Sequence, residues 1–182
     1  MQAKRPWSLY VLLTLLMFQA ISGLGGGLVL MIKPDGGLIQ MPTSILHGSA
    51  FHNFLIPGII LFLILGVFPV FTFSILIARP KWKFLKWVNI YNDRFVGWSF
   101  SLFTGFGLII WMEVEAVVIG YGAFIQVMYS TVGLLILVFT LMPGVMKYFT
   151  LPETDTETVS TKRNTENKLT DSVNPQHGHI FI

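Results

Sequence analysis

Four apolar runs of roughly twenty residues or more divide this chain, and no other feature limits its fold so strongly. A helix needs ~20 apolar residues to cross a hydrocarbon core ~30 Å thick. Inside that core only helices and closed barrels satisfy their own backbone. The runs fall at 7–32, 54–78, 97–118 and 124–146. They predict an all-α fold, a polytopic membrane four-helix bundle over residues 1–148 followed by a disordered tail over 149–182. Only 12% of the residues are charged, about half the ~25% usual in soluble domains, which agrees with that expectation. The connections and the tail are too short to bury a separate soluble core.

The charges orient the bundle. Lys4 and Arg5 precede the first run, and Lys147 follows the fourth. Arg79, Lys81, Lys83, Lys86 and Arg94 lie between the second and third. The connection at 33–53 has Lys33 balanced by Asp35, and the one at 119–123 has no basic residue. The positive-inside bias therefore predicts a multi-pass protein of the cell membrane with both termini in the cytoplasm. Lys4-Arg5, an apolar segment and Ala20-Ile21-Ser22 also fit a cleaved signal peptide, but the apolar run continues to Ile32, longer than a signal needs. Cleavage would leave the other three orientations unchanged. The absence of cysteine excludes disulfide exchange, thiolate zinc sites, haem attachment and thioester lipid anchors.

Several local features qualify the four runs. The first carries Gln19 near its middle and Gly23-Leu24-Gly25-Gly26-Gly27 beyond it, a small-residue surface on which another helix can approach closely. Pro34-Asp35-Gly36-Gly37 predicts a turn. His47 and His52 are five residues apart with no carboxylate between them, poor spacing for a single metal ion, so hydrogen-bonding roles are expected instead. Asn53 is placed to cap the second helix, which puts Pro57 harmlessly in its first turn. Pro69 lies deep within that helix and predicts a kink near Leu65 and Gly66. Residues 79–87 interleave cations with aromatic rings, a pattern suited to lipid headgroups rather than to nucleic acid. The tail is rich in Thr, Ser, Asn and Glu, and His177 and His179 belong to a solvated segment.

The third run is the unusual one, because it carries Glu113 and Glu115. An ionisable residue within a span costs ~3 kcal/mol or more and by default marks function. Counting from Gly97 at ~1.5 Å per residue places Glu113 ~24 Å and Glu115 ~27 Å along the helix, in the outer leaflet. At 100° per residue Glu115 lines up with Gly97, Ser101, Thr104, Gly105, Leu108 and Met112, a stripe expected to face other helices. Glu113 lies on the other side, with Phe95, Leu102, Phe106, Ile109 and Val117. The expected site is a polar pocket in the outer leaflet built from Glu115, Glu113, Gln126, Tyr129, His47 and His52. The plainer alternative is that the carboxylates sit at the interface or only set helix register.

The stretch Gly48-Ser49-Ala50-Phe51-His52-Asn53-Phe54-Leu55-Ile56-Pro57-Gly58 follows the glycine-rich first run and Pro34-Asp35-Gly36. With Gly97-Trp98, Trp111-Met112-Glu113-Val114-Glu115 and Gln126-Val127-Met128-Tyr129, it resembles a group of small bacterial four-span integral membrane proteins. The similarity covers roughly residues 8–142. It implies four-span topology and a bacterial inner or plasma membrane, and it carries no activity. A looser likeness to DoxX-like four-helix membrane proteins concerns size and layout only.

No nucleophile elbow, phosphate-binding loop, zinc-protease motif or dinucleotide fingerprint occurs, so neither a catalytic residue nor a cofactor is expected. The expected function is that of a non-enzymatic accessory or interaction protein in the lipid bilayer, meeting a membrane protein partner or a second copy of itself. The alternative is a small oligomeric proton-linked transporter using the outer-leaflet pocket. An enzyme acting on lipid or quinone ranks third.

Overall fold

A computed structural model of the chain describes residues 4–47, 49–80, 89, 91, 93–120, 124–151 and 165. Four of its helices are long and apolar enough to cross a membrane: α1 (Trp7–Ile32), α2 (Leu55–Ala78), α3 (Val96–Ile119) and α4 (Phe124–Leu141). A short α5 (Pro143–Phe149) follows them. The described residues contain no strand, only an isolated bridge between Arg94 and Thr150. The fold class is therefore the all-helical membrane bundle expected from the apolar runs.

Cross-contacts fix the arrangement. Gly23 lies against Leu65 and Gly27 against Phe62, so α1 and α2 run antiparallel. Thr72 meets Thr104, and Gly97 lies near Ile75 and Leu76, pairing α2 with α3. Gly105 faces Gly133, and the Trp98 indole N–H donates to the Thr140 carbonyl at 2.8 Å, pairing α3 with α4. Trp7 packs on Phe139 and Phe18 on Tyr129, which closes the ring between α4 and α1. Each helix thus neighbours the next in sequence, the up-and-down order that short connections favour. One end carries the 33–53 loop and the α3–α4 turn, and we call it the loop end. The opposite end, with Arg79, Arg94 and α5, is the arginine end.

Large apolar residues such as Ile21, Ile110, Val117 and Phe124 point outward on all sides, as a lipid-facing surface requires. Interior hydroxyls satisfy themselves locally: Thr72, Ser101, Thr104 and Thr140 each donate to the carbonyl four residues before them. The main core gathers at the arginine end and middle of the bundle, around Leu9, Leu12, Leu16, Trp98, Ile136 and Val145.

Proline sets three departures from uninterrupted helix. The run predicted at 124–146 stops at Leu141, because a residue preceding proline is driven out of the α region. Met142 adopts φ −59° and ψ 134°, and Pro143 then opens α5 at a position that needs no N–H donor. The α5 helix folds under the bundle and buries Val145 and Phe149. That corrects the boundary of the tail, which was placed at 149: Phe149 is core, stacked on Phe95, and Leu151 N–H donates to the Asp93 carbonyl. Of the predicted tail, residues 152–164 and 166–182 lie outside the described residues, as does the basic-aromatic segment over 81–87.

Within α2, Pro69 is met by a π-turn over Leu63–Val67, where the helix carries one wider turn. The proline ring would otherwise press on the carbonyl of Leu65, four residues earlier. The disturbance falls where it was expected, as a π-turn. Pro57 sits in the first turn of α2 as expected. The helix begins one residue after the predicted position, and Asn53 Oδ1 accepts from Leu55 N–H at 3.1 Å.

At the loop end, Gly36 takes φ +77° in the predicted turn, and Gly37 N–H donates to the Asp35 carboxylate at 2.9 Å. The loop then folds back onto the bundle and buries Leu46 and Phe54. At the arginine end the Arg79 guanidinium lies 4.0 Å from the centroid of the Tyr148 ring and donates to the Tyr148 carbonyl at 3.1 Å. That contact ties the end of α2 to α5.

The α1–α2 crossing depends on the absence of a side chain at Gly23. A Cβ there would overlap the Leu65 carbonyl oxygen, which is backbone and cannot move aside, whereas one at Gly25 would meet nothing within 4 Å. Gly23→Ala should cost ~1–3 kcal/mol or more by overpacking. Gly25→Ala should be neutral or gain up to ~1 kcal/mol. Denaturant titration of the purified protein in mixed micelles checks this, and equal losses for the two variants would contradict the packing.

Candidate functional site

The site begins with Gln19, in the middle of α1 and only 1% exposed. Its side-chain Nε2 donates to the Leu65 carbonyl at 3.2 Å. Pro69 has no N–H to return to that carbonyl, and α1 supplies a donor to it. The bond also fixes the amide's orientation, because only the NH₂ group can donate to a carbonyl. Gln19 Oε1 is therefore turned away from Leu65, and it has no hydrogen-bond partner among the described residues.

Gln19 lines a partly open cavity of about 150 Å³ to which all four long helices contribute. Ser22, Gly23 and Gly26 come from α1, Leu61 and Leu65 from α2, Leu108, Met112 and Glu115 from α3, and Ile125 and Tyr129 from α4. The Ser22 hydroxyl donates to the Gln19 carbonyl at 3.0 Å. A second cavity of about 220 Å³ adjoins it towards the loop end and shares Gly26, Leu61, Glu115 and Ile125 with it. This one is apolar, roofed by Ile39, Met41, Leu46 and Phe51 of the loop and flanked by Trp111.

Glu115 belongs to both cavities. Among the described residues no Lys, Arg or His forms an ion pair with it. The Trp111 indole, one helical turn before it, stands against the carboxylate. That N–H makes no well-aligned hydrogen bond with any described residue, so the approach is a loose polar contact rather than a formed bond. The stripe predicted from the 100° count does face inward: Ser101, Thr104, Leu108 and Met112 are all buried. Glu113 is exposed on the outer side of α3 along with Phe106 and Val117, while Leu102 departs from that side and is buried in the core.

The structure brings together two of the six residues named from sequence, Glu115 and Tyr129. Gln126 is buried, but its Nε2 donates to the Gly120 carbonyl at 3.0 Å and so secures the α3–α4 turn. Gly120 needs that support, because its φ of +99° ends α3 sharply. His47 and His52 are exposed on the loop, outside both cavities. No group of three His, Asp or Glu gathers among the described residues. Gln19 and Ser22 were not among the named residues. The signal that points to them is a polar residue mid-span one helix away from a proline whose carbonyl needs a donor.

No protein-family model, curated protein or solved structure matches this chain. The site is therefore read from its own chemistry.

The coupling between Gln19 and Pro69 has a measurable consequence. Gln19→Leu should cost ~1–3 kcal/mol by removing the donor to the buried Leu65 carbonyl. With Pro69→Ala in the background, a backbone N–H returns to α2 and the cost should shrink. A double-mutant cycle in denaturing micelles reads the difference. Additive losses would mean that the two residues act separately.

Proposed function

We propose that this chain is a non-enzymatic accessory or interaction protein of the cell membrane, with both termini cytoplasmic, that works through the cavity between its helices. In that orientation the loop end faces outward and the arginine end inward. The observation that carries the reading is the asymmetry of the interior. The outer half holds a cavity lined by Glu115, Gln19, Ser22 and Tyr129. The inner half is filled by Leu9, Leu12, Leu16, Trp98 and Ile136 and closed beneath by α5. A group arriving from outside has polar partners to meet, and a packed core stands between it and the cytoplasm. Such a site suits a ligand head or a partner's side chain rather than a conduit.

The transporter alternative draws on Glu115 itself, since a carboxylate inside a span is the usual element of a proton-linked step. The two readings differ in access. The chain has no cysteine, so single cysteines report access without background. In oriented vesicles Ser22→Cys should react with a small polar methanethiosulfonate applied from outside and be shielded from inside, while Thr140→Cys should be shielded from both sides. Labelling of Ser22→Cys from both faces would favour transport. No labelling from outside would remove the pocket as a working site.

A further inference from the structure

Resting on that reading of the pocket, the chemistry of its lining narrows what enters it. Gln19 lines the pocket, but its Oε1 is sealed within the bundle, fixed in direction by the bond from Nε2 to Leu65 and without a hydrogen-bond partner among the described residues. Glu115 contributes a carboxylate, which when ionised only accepts. Ser22 has committed its hydroxyl proton to the Gln19 carbonyl, so what it offers the cavity is lone pairs. Tyr129 is the one lining group free to donate or accept, its ring held against Phe18 at a centroid distance of 6.2 Å. No basic side chain lines either cavity. The polar lining is thus rich in acceptors and carries one acidic group. It complements a ligand that brings donors and positive charge.

We infer that the pocket takes an organic primary ammonium group carried on an apolar body, the ammonium beside Glu115, Ser22 and Tyr129 and the body beneath the loop. A primary ammonium is a compact tripod of three donors with no acceptor, the complement of this lining. A cavity of about 150 Å³ admits a group of roughly benzene size. The adjoining cavity of about 220 Å³ supplies the apolar surface, with Phe51, Phe54 and Trp111 at its walls. Glu115, common to both, marks where charge meets hydrocarbon. An aromatic wall next to a cation site adds attraction of its own. A bare alkali ion would leave the second cavity without a role. An anionic headgroup would find no cation here.

Calorimetric titration of the purified chain in maltoside micelles with 2-phenylethylamine tests this, with 2-phenylethanol as the neutral match and sodium chloride at equal ionic strength as the simple cation. The amine should bind about tenfold or more tighter than the alcohol, as expected for a hydrogen bond to a charged group. Glu115→Gln, close in shape to the native residue, should remove that preference. Ser22→Ala should weaken amine binding without abolishing it, and Glu113→Gln should leave it unchanged. Of these variants Glu115→Gln is decisive. In nanodiscs, competition by phosphatidylethanolamine would support the ammonium site and assign it to a lipid headgroup, and its absence would support a soluble amine. Equal binding of amine and alcohol, or equal displacement by sodium, would overturn the ammonium inference and leave the pocket standing. Binding of neither ligand while Ser22→Cys still reacts from outside would do the same. Failure of that cysteine to react from outside would count against the pocket itself.

Discussion

One hydrogen bond, from Gln19 Nε2 to the Leu65 carbonyl, reconciles two features that would each be costly alone. A glutamine at mid-span and a helix carbonyl deprived of its donor by proline are both polar defects in hydrocarbon. Placed against each other they cancel much of that cost. The π-turn at Leu63–Val67 presents the carbonyl, and the glycines at 23 and 27 let α1 come close enough to reach it. The constraint that holds α1 to α2 also fixes one wall of the cavity, which Gln19 and Leu65 both line.

The bundle is uneven along its length for a related reason. Towards the arginine end, leucines and aromatic residues fill the interior, and Arg79 pins α5 across the bottom through the Tyr148 ring. Towards the loop end, small residues replace large ones on the inner face of α1, with Ser22, Gly23, Gly26 and Gly27 following one another around the helix. Small side chains bring α1 and α2 together but leave space on the side that faces α3 and α4. The cavity is the volume that glycine packing leaves unfilled, and Glu115 supplies the charge at its edge.

Much of this architecture was legible in the residues. The apolar runs placed the four helices, Pro69 placed the disturbance in α2, and the helical period separated the inward Glu115 from the outward Glu113. Those features are local, and local chemistry decides them. Pairings across the bundle were not legible. Gln19 and Leu65 are 46 residues apart, and nothing in either segment names the other. Gln126 reads as a pocket residue by depth alone, yet a carbonyl in the adjoining turn claims it first. Pro143 lies inside an apolar run whose length hides the break, although its effect on Met142 is a local rule. The histidines fell outside because the loop folds its apolar residues inward and leaves its polar ones on the surface.

The Gln19–Leu65 bond bears also on how the chain is assembled. While α1 stands alone in the bilayer its glutamine has no partner, and α2 alone has none for the carbonyl ahead of Pro69. Each emerging helix is therefore held in a costly state until the other arrives, which favours their leaving the translocation machinery as one hairpin. The α3–α4 pair, joined at Gly105 and Gly133, forms a second hairpin. The cavity comes into being only when the two halves dock. Its ligand would then act as a late fastener, stabilising the junction between hairpins rather than either one.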